Sequence, residues 1–150
     1  MGTSITLHKQ KYFKSLKDLI TSLRCEKSIE FWGPIAHDKL VNVYNSSKIF
    51  VLMTKSEGQS LVTMEAMSCG KPVIVTPVGA IPDYVKDGIN GFILNNYDSK
   101  KLAEIIIRLL KDEKLREKIG AAARESMEDG SSKNSFTREL TNIFNELSTN

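Results

Sequence analysis

Two glutamates, Glu57 and Glu65, stand with seven residues between them in residues 56–75, SEGQSLVTMEAMSCGKPVIV. Glu65 is the chemically awkward one. Its neighbours Leu61, Val62, Met64, Ala66, Met67 and Cys69 are apolar or nearly so, and the spacing predicts a mostly buried side chain. Burying an unpaired carboxylate is costly, so the group needs donors. The hydroxyls of a ligand would serve, and so would an internal partner such as a lysine or a backbone N–H. Glu57 sits at the apex of a polar turn just before Gly58. A carboxylate there is either solvated or aimed at something bound beside the turn.

The surrounding elements decide how these groups are presented. Residues 48–53 (KIFVLM) form a short apolar run rich in branched side chains, which predicts a buried strand. Thr54 to Gly58 break the pattern. Ser60 is a candidate N-cap for a helix over residues 61–69, with Gly70 as its C′ residue and Pro72 just beyond. Residues 73–76 are hydrophobic without alternation, as in a parallel strand covered on both faces. Strand, turn, helix and strand make a βαβ unit, whose crossover is expected to be right-handed. Ligands of such units bind beyond the carboxyl ends of the strands. The turn before the helix lies at that end, and a helix N-terminus carries about half a positive charge, which favours phosphate.

The 150 residues suit one domain with its own core, and a hydrophobic fraction of 41% is ordinary for a globular chain. A net charge of +3 without a basic, aromatic-rich stripe gives no reason to expect nucleic acid. Cys25 and Cys69 lie far apart in apolar helical patterns, which predicts core thiols in a reducing compartment. No apolar run approaches the roughly 20 residues of a membrane span, and no signal peptide is visible, so a cytoplasmic protein is expected.

Before the central unit, residues 4–8 (SITLH) predict a strand and residues 12–24 an amphipathic helix, with Phe13, Leu16, Leu19, Ile20 and Leu23 on one face. Lys9, Lys11, Lys14 and Lys17 near its start read as a solvated face. Residues 28–33 (SIEFWG) predict a second strand, ending at Gly33-Pro34, and residues 36–46 a helix with Leu40, Val43 and Tyr44 inward. After it come a Pro- and Gly-punctuated loop around Gly79, one helical turn near residues 81–85, tight turns at Asp87-Gly88 and Asn90-Gly91, and a last strand at 92–94. Helices are expected from Asp98 or Ser99 to about residue 110, over 113–128, and over 136–147 after a break at residues 129–132. Alternating strands and helices followed by helices alone predict a doubly wound, mostly parallel α/β sheet, Rossmann-like, with C-terminal helices.

Glu57, Gly58, Glu65, Ala66, Met67, Gly70, Pro72, Val73 and Ile74, then Gly79, Asp87, Gly88, Asn90 and Gly91, carry a resemblance in order and spacing. The chain resembles the donor-binding domain of the family 4 glycosyltransferases, retaining enzymes of the GT-B fold. The resemblance covers roughly residues 4–147, and its most specific part runs from Ile49 to Leu94. It implies transfer of a sugar from a UDP- or GDP-linked donor to an acceptor sugar, lipid or protein glycan. The residue matching Glu65 holds the ribose hydroxyls in that family. The residue matching Glu57 contacts the donor sugar near the reacting carbon, as nucleophile or electrostatic stabiliser. Backbone N–H groups at Gln59, Ser60 and Leu61, beside Gly58, would face the sugar and diphosphate. The base would lie against Gly33, Pro34 and Ile35. The family requires no metal, because the helix N-terminus and basic side chains meet the leaving diphosphate, and no cofactor is implied beyond the donor itself.

Departures from the family pattern are equally informative. Many members have Phe-Gly where this chain has Gln59-Ser60. The family domain opens with a strand and loop bearing an Arg and a Lys, and the resemblance begins after them, at the second strand. The turn following that second strand is His8-Lys9-Gln10 instead of glycine-rich. The N-terminal acceptor domain is likewise outside the match. A sheet lacking that strand would leave neighbouring strands unpaired, so rearrangement, self-association or a partner chain is expected. The isolated chain is expected to be inactive. A non-catalytic remnant, or a subunit completing a partner glycosyltransferase, is the alternative reading. A GT-B epimerase would need a second positioned base that the sequence does not supply.

Overall fold

The computed structural model describes residues 3–131. The chain divides into two compact units, one ending at Ala36 and the other beginning at His37. The first holds helix α1 (Thr3–Ser22) and a 3-10 turn at Glu26–Ser28. Arg24, at φ +54°, ends the helix in the left-handed region. Phe13 meets Phe31 edge to face at 4.8 Å, and Lys17 Nζ stands 4.7 Å over the Phe13 ring.

Both strands expected in this unit are absent. Residues 4–8 and the turn expected at His8-Lys9-Gln10 lie inside α1, and residues 29–36 form no strand ladder. A strand satisfies its N–H and C=O groups only through a neighbour, whereas a helix satisfies them within itself. Among the described residues neither segment has a strand beside it.

The second unit is built around a parallel three-stranded sheet. Its strands are β1 (Phe50–Leu52), β2 (Val73–Val75) and β3 (Phe92–Ile93), in the order β1-β2-β3. Phe50 pairs with Val73 and Leu52 with Val75, while Val75 also faces Ile93. Helix α2 (His37–Ser46) precedes β1, α3 (Leu61–Ser68) connects β1 to β2, and α4 (Ile81–Tyr84) leads toward β3. Helices α5 (Ser99–Lys111) and α6 (Glu113–Ser131) follow. Asp98 caps α5, its Oδ1 accepting from the N–H groups of Lys100 and Lys101 at 2.9 and 3.2 Å. The break expected at residues 129–132 is not seen at Asp129 and Gly130, where α6 continues to Ser131. The helix expected over 136–147 lies outside the described residues.

Burial follows strand geometry. β2 is buried at all three positions, and alternate side chains point to opposite faces. Val73 and Val75 pack with Tyr44, Ala66, Met67, Ile81 and Ala123. Ile74 packs on the other side with Phe92, Leu94, Leu109 and Ile119. Helix α6 serves both clusters, through Ala123 and Met127 in one and Ile119 in the other. The sheet therefore has helical cover on two faces, which is the doubly wound architecture the alternation implied.

The end of α3 is fixed by backbone. Gly70, at φ +66°, donates to the Met67 carbonyl at 2.8 Å, and Lys71 N–H reaches the Ala66 carbonyl at 3.0 Å. These two bonds make a Schellman cap, which needs the left-handed residue that glycine supplies. Gly120 of α6 passes directly over this cap, and a Cβ there would collide with the Gly70 carbonyl. Alanine gains about 1 kcal/mol of helix propensity over glycine, but a clash with fixed backbone outweighs it. Gly120→Ala is expected to cost a net of about 1–2 kcal/mol in urea unfolding, and an unchanged or raised midpoint would contradict this packing.

Candidate functional site

The turn between β1 and α3 is held from below by the segment after β2. The Ala80 N–H donates to the Gly58 carbonyl at 2.9 Å, and the Tyr84 hydroxyl donates to the Gln59 carbonyl at 2.8 Å. Gly79, at φ +57°, lies so close that a Cβ would strike the carbonyls of Glu57 and Gly58. The freedom of Gly79 is therefore used for contact with this turn. Thr54 anchors the turn's start: its carbonyl accepts from the Thr76 hydroxyl at 2.6 Å and from the Tyr97 hydroxyl at 2.9 Å. Glu57 is half-buried, while Gly58 and Gln59 are exposed.

Ser60 does occupy the N-cap position of α3, but not in the expected way. It adopts φ +53° and ψ +69°, and its side chain caps no backbone N–H. The hydroxyl is buried and pairs with the Thr63 hydroxyl at 2.9 Å. Its carbonyl instead receives the N–H groups of Thr63 and Met64 at 3.0 and 3.3 Å. Leu61 heads the helix with its side chain exposed. Helix geometry leaves the first N–H groups of α3 without intrahelical acceptors, at the carboxyl edge of the sheet.

One and a half turns further on, Glu65 meets Tyr44. The phenol donates to Glu65 Oε2 at 2.9 Å. Tyr44 is buried and its ring packs edge-on against Phe50, with centroids 6.0 Å apart. The expected internal partner of Glu65 is thus a tyrosine hydroxyl, where lysine or backbone N–H had been considered. Glu65 is half-buried, not fully buried, because it lines a cleft of about 320 Å³ between α2 and α3. His37, Leu40, Met64, Cys69 and Met127 share that cleft. Glu57 lies outside its lining, at the turn. Gly33, Pro34 and Ile35 belong to the other compact unit; there Gly33 takes φ +65° and Ile35 is half-buried. Cys25 and Cys69 are both free thiols, half-buried. Among the described residues no helix is long and apolar enough to cross a membrane.

Two tyrosines join the site that spacing alone did not single out for it. Tyr44 was legible as an inward residue of α2, but it lies 21 positions from Glu65 and no local pattern links them. Tyr84 stands under the turn, and burial raises its pKa, with the charge of Glu57 adding to the effect.

An open parallel sheet with helical cover on both faces, and two carboxylates at or near its carboxyl edge, defines a Rossmann-like α/β domain. The particular family is Glycosyl transferases group 1: it matches residues 2–126, and the chain belongs to it. The D-inositol 3-phosphate glycosyltransferase of Thermobifida fusca (strain YX) is 32% identical over 121 residues, covering 81% of this chain and 27% of the relative. The structure of Anabaena HepE in complex with UDP and glucose aligns with a TM-score of 0.82 at 25% identity, over 93% of this chain and 38% of that one. The C-terminal domain of the group 1 glycosyl transferase LpcC from Francisella tularensis aligns at 0.76 and 28% identity, over 82% and 64%. The chain thus spans less than a third of that curated relative's length.

The Tyr44 contact predicts a titration. Burial first, and then the hydrogen bond and charge of Glu65, push the phenol up to about 12 from 10.0. Between those values the unfolded chain releases a proton that the folded chain keeps, so stability falls as pH rises through this window. Carbon-13 NMR of the tyrosine Cζ should show Tyr44 titrating well above 10.0, and Glu65→Ala should lower the value without returning it fully, because burial remains. No change in Glu65→Ala would mean that the hydrogen bond is not formed in solution.

Proposed function

We propose that this chain is the donor-binding part of a retaining glycosyltransferase that moves a sugar from a UDP- or GDP-linked donor to an acceptor. The observation that carries the reading is Glu65, a half-buried carboxylate on the wall of the cleft, on the helix that the Glu57-Gly58 turn opens. A carboxylate has about four acceptor sites, and Tyr44 takes one. Ribose hydroxyls take the others. The N–H groups of Ser60 and Leu61 at the start of α3, with Gly58 and Gln59, face the sugar and the diphosphate, where the helix N-terminus offsets charge developing on the leaving group. Glu57 acts at the sugar. The acceptor side comes from a second domain, in the same polypeptide or in a partner chain. The cytoplasm, where such donors and free thiols coexist, is the proposed location, with peripheral contact at the inner membrane face.

UDP is a credible donor carrier because HepE, a solved relative at 25% identity, is in complex with UDP and glucose. Ligand-observed NMR of the pure chain with UDP, GDP and ADP, each with and without an attached sugar, tests the reading. Selective binding is expected. Glu65→Ala should weaken it about tenfold or more, as for hydrogen bonds to a charged group. Glu57→Ala should instead erode the gain given by the sugar. Parent-like binding by both variants would overturn the assignment. The pure chain is expected to transfer no sugar, and detectable transfer would show that its acceptor side is already present.

A further inference from the structure

The Glu65 carboxylate already has one oxygen engaged by a protein donor. A free glutamate turns about three side-chain bonds, and each turn aims its lone pairs elsewhere. Here Oε2 accepts at 2.9 Å from a hydroxyl whose own ring is buried. Tyr44 is 7% exposed, seated on α2 and packed edge-on to Phe50 of β1. Tyr44 also lines the cleft beside Glu65. A phenol this close donates one proton and takes one acceptor site, which among the described residues leaves Oε1 and the second lone pair of Oε2 open.

Resting on the donor-site reading above, we propose that Tyr44 is a positioning residue: its hydroxyl fixes the Glu65 carboxylate so that its open lone pairs meet two neighbouring hydroxyls, which makes the cleft select ribonucleotides over deoxyribonucleotides. A vicinal diol offers two donors at a fixed separation. A fixed carboxylate accepts both at once, and a swivelling one loses part of that gain to ordering. A 2′-deoxy sugar offers one donor only and leaves an acceptor of the oriented pair unused. The raised pKa of Tyr44 is consistent with a phenol that stays protonated, and so stays a donor, across the physiological range. Tyr44 touches no bound sugar in this scheme; it acts entirely through Glu65.

The test is calorimetric. Dissociation constants are measured for UDP, GDP and ADP, each beside its 2′-deoxy form, with the parent, Tyr44→Phe, Phe50→Leu, Glu65→Ala and the Tyr44→Phe/Glu65→Ala double variant. Melting temperatures are read alongside. The parent should prefer the ribonucleotide. Tyr44→Phe, which removes one oxygen and keeps the ring, should shrink that preference about three- to tenfold. Phe50→Leu loosens the ring's seat but keeps the hydroxyl, and should retain more of the preference at a comparable loss of melting temperature. In the Glu65→Ala background, Tyr44→Phe should change the ratio no further. An unchanged ratio in Tyr44→Phe, or an equal loss in Phe50→Leu, overturns the positioning role while leaving the donor site intact. A parent without ribose preference, or a Glu65→Ala variant that keeps it, overturns the donor-site reading itself, and the role of Tyr44 with it.

Discussion

A parallel strand buried on both faces is the constraint from which this structure follows. β2 is Val73, Ile74 and Val75, with no solvent exposure at any of them. Its two faces need separate apolar cover, and its two edges need neighbouring strands. β1 and β3 supply the edges; α2, α3 and α6 cover one face, and α5 and α6 the other. A parallel neighbour cannot be reached by a tight hairpin, so the chain from β1 to β2 must cross over through α3. That crossover places a turn at the carboxyl end of β1 and a helix N-terminus directly after it. The position of the site is thus a by-product of covering β2.

Precision at the site comes from a second layer of contacts. The turn at residues 56–60 is exposed in part and short of side-chain anchors of its own. It is located by backbone: the Gly79 turn presses on it, and Ala80 and Tyr84 bond its carbonyls. Those bonds satisfy the carbonyls of Gly58 and Gln59 from within the protein. Tyr44 of α2 does the same for Glu65 of α3. Both devices convert flexible acceptors into fixed ones, and preorganisation of that kind lowers the ordering cost of binding.

Membership of the Glycosyl transferases group 1 family and the alignment with HepE are consistent with this economy. In this chain the strand, turn and helix that bear the two carboxylates sit on a sheet whose other parts are ordinary hydrophobic packing. The first compact unit follows different rules. Its helix α1 is amphipathic in pattern yet shows Tyr12, Phe13 and Leu19 exposed, so its local hydrogen bonding holds it together more than burial does.

By itself the sequence determined several features that depend on near neighbours. The apolar run at 73–75, the Gly70 stop and the Asp98 cap set their elements because period, φ and capping are local properties. Glu57 and Glu65 were visible as odd residues for the same reason. The pattern at residues 4–8 and 28–33 was misleading as strand because a strand is defined by its partner, and the partner is not a local quantity. Only the tertiary structure decided how Ser60 ends up buried and left-handed, why Gly79 must be glycine, and that Tyr44 is the donor to Glu65. The Gly79 and Tyr44 contacts join segments 21 or more positions apart, where packing rather than local preference chooses the contact.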